Sequence, residues 1–241
     1  MNSVNQNEKH MKLHSGLVGS VIGDMVYGAN DGIVTTFAVV AGVAGADLSP
    51  IVVLVMGFAN LFADGWSMAS ANYLGTKSRY DYEDQERAVE EKAILENPQA
   101  RIKCLKNYYK GKGLDGEALD SLIAVIIQDK KLWVDEMLMC ELNIDSGPRN
   151  HPLKNSIATF VAFNLAGSLP LWPYLFKLEN AFVYSIILSA VAFFAVGSLS
   201  SRVTAKSWLF ASIQMLLVGS LAGLVAYAVG FSLKNIFGIN V

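Results

Sequence analysis

The aspartate at position 31 falls inside an apolar segment that is long enough to cross a bilayer. The segment reads GDMVYGANDGIVTTFAVVAGVAGAD from residue 23 to residue 47, with Asp31 in its first half. Because a charge inside the hydrocarbon core is costly, a carboxylate there is by default a functional group on an ion or proton path. The alternative is a structural aspartate that hydrogen-bonds to a neighbouring helix.

The next apolar segment carries four side chains that could share a cation with Asp31. Asn60, Asp64, Met68 and Asn72 recur every fourth position, so a helix places them along one slowly drifting stripe. Oxygen ligands together with a soft thioether favour a first-row transition metal such as Fe(II) or Mn(II). The alternatives are that Met68 makes a plain apolar contact and that Asp64 makes a capping or interhelical hydrogen bond.

The middle of the chain offers two further helical faces with metal-ligand chemistry. They consist of Glu83, Glu86 and Glu90, and of Glu136, Met137, Cys140 and Glu141. Carboxylates with sulfur could bind metal there. The competing interpretation is a solvated charged face, because lysines and arginines are interspersed.

Composition separates a membrane part from a water-exposed part. Of 241 residues, 53% are hydrophobic and 17% charged, against about 25% charged in a typical soluble domain. Most charged residues fall between 76 and 154. The net charge of -2 argues against a nucleic-acid partner. The two cysteines, without a CxxC motif, make a disulfide framework unexpected and indicate a reducing compartment.

The sequence lacks the signatures of an enzyme. It contains no Ser/His/Asp arrangement, phosphate loop or nucleotide motif, so we expect no catalytic site and no prosthetic group. His10 and His14, four positions apart, are interpreted as an exposed or juxtamembrane segment rather than a metal pair. The polar N-terminus shows no cleavable signal peptide.

The elements that must position these residues are five apolar spans. A helix needs roughly 20 apolar residues to cross the hydrocarbon core, and such stretches occur near 17–46, 50–74, 157–176, 181–199 and 207–233. Very short links make hairpins of spans one and two and of spans three and four. We therefore predict an all-α membrane protein with five transmembrane helices and a helical cytoplasmic insertion between spans two and three, with helical stretches near 100–109, 115–129 and 130–142. The predicted domains are 1–75, 76–154 and 155–241.

Positive charges near the span ends predict the orientation. The N-terminus, the insertion and the loop between spans four and five are richer in lysine and arginine than the opposite side, which offers Lys177 and Lys234. By the positive-inside rule those three parts face the cytoplasm and the C-terminus faces away. The residues counted are Lys9, Lys12, Lys77, Arg79, Arg149, Lys154, Arg202 and Lys206.

Two spans carry helix-breaking or small residues. Gly167, Pro170 and Pro173 lie in span three, where they are interpreted either as a packing kink or as a broken helix that lines a path. Gly219 and Gly223 form a GxxxG pair in span five, which allows close helix approach, including to a second subunit.

The sequence resembles the vacuolar iron transporter family, which includes bacterial members. The likeness covers all five spans in order. Its motifs are GANDGIVTTFAVVAGVAGA at 28–46, SMASANYL at 67–74, GSLPLWPY at 167–174, SRVTAKSW at 201–208 and LLVGSLAG at 216–223. The resemblance implies a five-span homodimer that moves Fe(II), often Mn(II), out of the cytoplasm in exchange for protons, along a path at the dimer interface. The family's transport residues fall on Asp31, in its DG motif with Gly32, and on Met68.

The insertion departs from the family pattern of cytoplasmic metal ligands. Glu90 fits the first of two glutamates, and Met137 and Glu141 fit the last run, but Ala93 and Leu138 stand at two other ligand positions. The family has two further glutamates after the proline that corresponds to Pro98, and here Arg101 and Cys104 stand at those positions. The resemblance therefore implies an intact membrane site at Asp31 and Met68, to which the spacing in span two adds Asp64, Asn60 and Asn72, although some relatives have glutamate at the position of Asn72. The cytoplasmic site, for which Glu86, Glu90, Met137 and Glu141 remain candidates, is weakened.

The sequence thus favours a divalent-metal transporter that exports or sequesters Fe(II) or Mn(II), by proton antiport. The transported ion is a substrate, and the expected partners are lipid, divalent metal ions, protons and a second copy of the chain. A bacterial cytoplasmic membrane is favoured over a vacuolar one. Two alternatives stay open: a non-transporting membrane sensor or scaffold whose helical domain binds a partner, and a transporter of another cation.

Overall fold

The computed structural model describes residues 16–149, 151–204 and 207–238, and within these ranges the chain is helical with no strand. The predicted His10 and His14 segment lies outside them, as do Lys9, Lys12 and Lys206. The helices are α1 Gly16–Gly45, α2 Pro50–Glu96, α3 Pro98–Gly111, α4 Gly116–Gln128, α5 Lys130–Leu142, α6 Pro152–Ser168, α7 Trp172–Leu175, α8 Ala181–Thr204 and α9 Trp208–Phe237, with a 3₁₀ turn at Leu169–Leu171.

The chain divides into two compact units. The transmembrane unit comprises residues up to Tyr73 and from Asn150 onward, and the insertion unit comprises Leu74–Arg149. Four helices are long and apolar enough to cross a membrane: Val21–Gly45 within α1, all of α2, Ala181–Ser201 within α8, and all of α9. These correspond to four of the five predicted spans.

The predicted third span is instead a broken helix. α6 ends at Ser168, and the 3₁₀ turn and the four-residue α7 follow it. Proline explains the break, because Pro170 and Pro173 have no backbone N–H to donate to a helical carbonyl. The segment therefore lacks one uninterrupted membrane-length helix, although its helical elements follow one another without a gap from Pro152 to Leu175.

Helix α2 is much longer than the predicted second span. Its 47 residues extend about 70 Å at roughly 1.5 Å per residue, whereas the hydrocarbon core is about 30 Å thick. The strong helix formers after residue 80 continue the helix until Asn97, whose side chain caps α3 by accepting a hydrogen bond from the Ala100 amide.

Helix α1, which carries Asp31, is the most enclosed of the four apolar helices. Half of its apolar window is buried, against 22%, 28% and 22% for the others. It packs against α6, α8 and α9 in the transmembrane unit. Its neighbours approach closely because glycines meet backbone: a Cβ on Gly32 would lie 2.4 Å from the Phe163 carbonyl oxygen, and one on Gly230 would lie 2.0 Å from that of Gly42.

The GxxxG pair of α9 faces the interior of its own subunit. A Cβ on Gly219 would meet the Phe193 ring at 2.2 Å, and one on Gly223 would meet the Phe37 ring at 2.3 Å. The interpretation of this motif as a contact to a second subunit is therefore replaced by packing against α8 and α1.

The insertion unit has its own apolar core. The buried members of this core are Ile94, Leu105, Leu119, Ile123, Ile126, Trp133, Val134, Met137 and Leu138. They come from the end of α2 and from α3, α4 and α5, which the sequence predicted near 100–109, 115–129 and 130–142. Asp129 caps α5 by accepting hydrogen bonds from the Lys131 and Leu132 amides.

Gly230→Ala is expected to disrupt the crossing of α1 and α9. The added methyl group collides with a backbone carbonyl that cannot move without its helix, and overpacking of this kind costs about 1–3 kcal/mol. The measurement is thermal unfolding of the detergent-purified chain. Gly75→Ala is the matched control, because a Cβ there meets no heavy atom within 4 Å. An equal melting temperature for the two variants would contradict the predicted close crossing.

Candidate metal-transport site

Asp31 lies half-buried on α1 with a free carboxylate. The nearby Thr35 hydroxyl donates to the Asp31 backbone oxygen at 2.9 Å and does not reach the side chain. Within the described ranges no hydrogen bond or ion pair ends on the Asp31 carboxylate, while the Asp64 carboxylate lies close enough for the two negative charges to repel. Among the described residues the carboxylate therefore makes no helix-holding hydrogen bond, and its role in binding a cation or a proton stays a prediction.

Asp64 lies on α2 and is oriented by its own helix. The Asn60 amide Nδ2 donates to Asp64 Oδ2 at 2.8 Å, one turn away. Two members of the predicted stripe, Asn60 and Asp64, are therefore in direct contact, and this hydrogen bond orients the Asp64 carboxylate. Asp64 is also close enough to Asp31 for the two carboxylates to repel each other.

The other two members of the stripe lie further along α2. Met68 is half-buried and packs against an apolar cluster that includes Val40, Leu61 and Phe163. The structure therefore gives Met68 an apolar contact, as one interpretation of the sequence expected, and a sulfur-to-metal role stays a prediction. Asn72 has a buried side-chain oxygen with no hydrogen-bond partner in the described part of the chain.

Several buried oxygens of the transmembrane unit have no hydrogen-bond partner. Among the described residues of this unit they are Asn30 Oδ1 and Thr36 Oγ1 on α1, Asn72 Oδ1 on α2, and Asn155 Oδ1 and Asn164 Oδ1 on α6. A buried polar atom is costly unless a partner satisfies it, and bound water or a cation can do so. Helices α1 and α2 thus carry the two carboxylates, and α1, α2 and α6 carry neutral oxygen atoms that have no partner among the described residues.

The broken helix at α6 supports close packing. A Cβ on Gly167 would lie 2.7 Å from the Gly32 carbonyl oxygen, so these two glycines form the contact between α6 and α1. The carbonyls freed by the break are satisfied inside the protein, because the Leu169 amide donates to Ala166, the Trp172 amide to Leu169, and the Ser185 hydroxyl to Pro170 at 2.8 Å. Pro173 is buried next to this turn. A path-shaping role for these residues stays a prediction.

Sequence reasoning missed three polar residues of the transmembrane unit. Asn155, on α6, donates through Nδ2 to Asp24 Oδ2 on α1 at 2.9 Å. Asn164 lies over Gly65, whose added Cβ would meet Asn164 Nδ2 at 2.5 Å. Gly65 follows Asp64 directly, so Asn164 packs against the turn of α2 that carries that carboxylate. The signal was available, since a polar amide within FVAFNLAG departs from an apolar run.

A separate cavity of about 380 Å³ lies between α1, α8 and α9. Aromatic side chains such as Phe37, Phe193 and Tyr227 line it, with Ser189 and Ser220 as polar members. None of its described lining residues carries a carboxylate or a sulfur.

In the insertion unit, an arginine connects two of the candidate metal ligands. Arg101 Nε lies 3.3 Å from Glu90 Oε1, and Arg101 Nη1 lies 2.5 Å from Glu141 Oε1. Glu90 is 5% exposed, and burial raises the pKa of its carboxyl group while Arg101 lowers it and Glu141 raises it. The guanidinium therefore stands where a shared cation would bridge these carboxylates.

The remaining candidates of the insertion unit do not join a ligand set. Met137 is 0% exposed and belongs to the apolar core, and Glu86 lies on the partly exposed face of α2. Glu83 pairs with Arg149 at 3.4 Å, and Glu136 accepts a hydrogen bond from Tyr109 at 2.5 Å. Among the described residues no three His, Cys, Asp or Glu side chains are grouped to hold a metal.

Comparison with known proteins relates the whole chain to one group. The model of the VIT family matches residues 22–231. A protein of Toxoplasma gondii named vacuolar iron transporter is 31% identical over 96% of this chain and 80% of its own length. Vacuolar iron transporter 1 of Tulipa gesneriana is 26% identical over 97% of this chain and 95% of its own, and that of Arabidopsis thaliana is 25% identical over 91% and 87%.

Proposed function

Because this chain belongs to the VIT family and is a metal transporter of the membrane, we propose that it carries Fe(II) or Mn(II) out of the cytoplasm in exchange for protons. Iron enters the proposal through the names of its relatives, and manganese through the mixed ligand chemistry of the site. The metal is a substrate of this protein rather than a cofactor. An alternative role as a non-transporting scaffold is not favoured by this family membership.

The observation that carries the proposal is the unpaired carboxylate of Asp31 on the most enclosed span, with Asp64 as its charged neighbour. A divalent cation beside both groups would offset their mutual repulsion and the cost of their burial. The same oxygens can bind protons when the metal leaves, so metal release and proton uptake are coupled through one site. Neutral ligands from Asn72 and Asn164, together with the Met68 sulfur, complete the proposed set.

We further propose that the transporter is a homodimer. The resemblance implies a path at the dimer interface, and an exposed apolar face of α2 offers a surface for a second copy. Phe62 and Trp66 lie one turn apart on this face, on the side of α2 away from Asp64, and are 58% and 70% exposed in the single chain. A second copy packed on this face would bring its own α2 close to the first.

The orientation and the membrane are also proposals. We place the N-terminus and the insertion unit in the cytoplasm and the C-terminus on the opposite side, with the broken helix at α6 and α7 as the fifth span. The relatives named above are eukaryotic proteins called vacuolar, so a bacterial cytoplasmic membrane stays a prediction from the sequence.

The proposal is tested by flux into proteoliposomes, using Fe(II), Mn(II), Co(II), Zn(II) and Ca(II) with and without a pH gradient. We expect Fe(II) and Mn(II) to move, Ca(II) to be excluded, and counter-flow of protons to accompany each ion. Ion movement that does not depend on the pH gradient would rule out antiport, and preferential Ca(II) flux would favour a transporter of another cation.

Met68→Leu keeps the apolar bulk of the side chain and removes the sulfur. In the same assay it should therefore lower the ratio of transition-metal flux to Ca(II) flux.

A further inference from the structure

The two cysteines of the chain meet in the insertion unit. Cys104 lies on α3 and Cys140 on α5, 36 positions apart, and their sulfur atoms are 3.4 Å from each other. Both are free thiols, and the sequence contains no third cysteine. These two thiols, in direct contact across a helix pair, take no part in the proposed transport site or in the ion pairs of Arg101 with Glu90 and Glu141.

The packing of α3 against α5 fixes this contact. Both cysteines pack against the apolar core of the insertion unit. One turn before Cys104 on α3 is Arg101, and directly after Cys140 on α5 is Glu141, and these two side chains form an ion pair at 2.5 Å. The core below and the ion pair beside them therefore hold α3 and α5, and with them the two cysteines, next to each other.

A metal does not explain the pair. The carboxylates nearest to it, Glu90 and Glu141, are held by Arg101, and no group of three ligating His, Cys, Asp or Glu residues occurs in the described part of the chain. Structural zinc sites are tetrahedral and need four ligands, whereas this position supplies two.

We propose that Cys104 and Cys140 are a covalent modification site, at which a small-molecule disulfide converts the two thiols into a reversible disulfide between α3 and α5. One cysteine thiolate attacks a sulfur of the small disulfide, forms a mixed disulfide and releases one small thiol. The second cysteine attacks the cysteine sulfur of the mixed disulfide and releases the other. Both cysteines are oxidised, the small disulfide is reduced to two thiols, and the two protons pass to those thiols.

The surroundings of Cys140 disfavour its thiolate. Burial, and then the hydrogen bond with Cys104, raise the pKa of Cys140 to about 12. Because the thiolate is the attacking species, attack by Cys140 is slow near neutral pH and accelerates as the pH rises. A disfavoured thiolate is also a poor leaving group, so the bond is slow to reopen. In a reducing compartment the dithiol form prevails until the small-molecule disulfide accumulates.

The test uses the full chain in detergent, equilibrated in buffers of reduced and oxidised glutathione at stepped ratios. Samples are quenched, denatured and labelled with a maleimide polymer that shifts mobility once per free thiol. We expect both labels to be lost together, on a monomeric band, and to return with reductant. Oxidation should also slow hydrogen exchange in α3 and α5, and its rate should rise with pH.

Cys104→Ser and Cys140→Ser are the controls, since each keeps one thiol that can form only a glutathione adduct or a bond between chains. The proposal is overturned if both labels persist in the most oxidising buffer, or if labels are lost only in bands that contain two chains. It is also overturned if Cd(II) protects both thiols while oxidation never joins them, because the pair would then be a soft-metal site.

Discussion

Asp31→Asn is expected to lower metal flux by about 30-fold or more while leaving the chain folded. Truncating one partner of a desolvated charge pair typically costs about 2–5 kcal/mol, and 2 kcal/mol corresponds to roughly 30-fold. The substitution keeps the size of the side chain but removes the negative charge that would bind the cation and exchange it for protons. The measurement is initial Mn(II) flux in proteoliposomes, with proton counter-flow recorded in parallel.

Asp47→Asn is the matched control for this prediction. Asp47 follows α1 in the short link to α2, is exposed, and accepts a hydrogen bond from Lys234 at 2.7 Å. It undergoes the same chemical change at the end of the same helix, away from Asp31 and Asp64. Flux by Asp31→Asn within twofold of the Asp47→Asn value, at equal reconstitution, would remove Asp31 from the transport site.

Arg101→Ala is expected to destabilise the insertion unit by about 3–5 kcal/mol, because it leaves Glu90 buried without its cation. The same change removes the ion pair between α3 and Glu141 on α5. Lys103→Ala is the control, since Lys103 is an exposed cation on the same helix. Hydrogen exchange of α3 and α5 in the full chain reports the unfolding free energy of the unit, so the comparison does not require an isolated fragment.

The Arg101→Ala defect should depend on pH in a defined direction. Burial raises the pKa of Glu90 above its ordinary value, and removing the arginine raises it further because the guanidinium was lowering it. A carboxyl group with a raised pKa in the folded state binds its proton more readily there than in the unfolded state. The variant therefore loses stability as pH rises through the folded-state pKa of Glu90 and regains it below that value. A defect that stays constant from acidic to neutral pH would show that Glu90 is not its cause.

Much of the fold follows from local patterns in the sequence. Helices α4 and α5 begin within a residue of their predicted starts because Asp115 and Asp129 cap their N-termini, and apolar residues recur at helical spacing after each cap. The unbroken course of α2 through residue 75 was less evident, since a composition change between apolar and charged residues carries no information about helix continuity. For the third span the sequence left a packing kink and a broken helix as alternatives, and the structure shows the break, because Pro170 and Pro173 lack a backbone N–H donor.

The site was only partly accessible to such reasoning. Asp31 and Asp64 were recognisable because a carboxylate in an apolar span is rare whatever its surroundings. The pairing of Arg101 with Glu90 and Glu141 was not, because the three residues come from three helices and meet only through tertiary packing. For the same reason the Asn164 amide became significant only when Gly65 placed it beside the residue that follows Asp64.

The Arg101 bridge has a consequence for when the protein can mature in the cell. A unit held together by a bound metal gains stability that grows with the logarithm of the free metal concentration, so it loosens when that metal is scarce. The guanidinium is part of the chain and is always present at the same effective concentration. A newly made insertion unit can therefore fold equally well in metal-starved and metal-replete cells, and the abundance of the protein need not track the supply of the ion it carries.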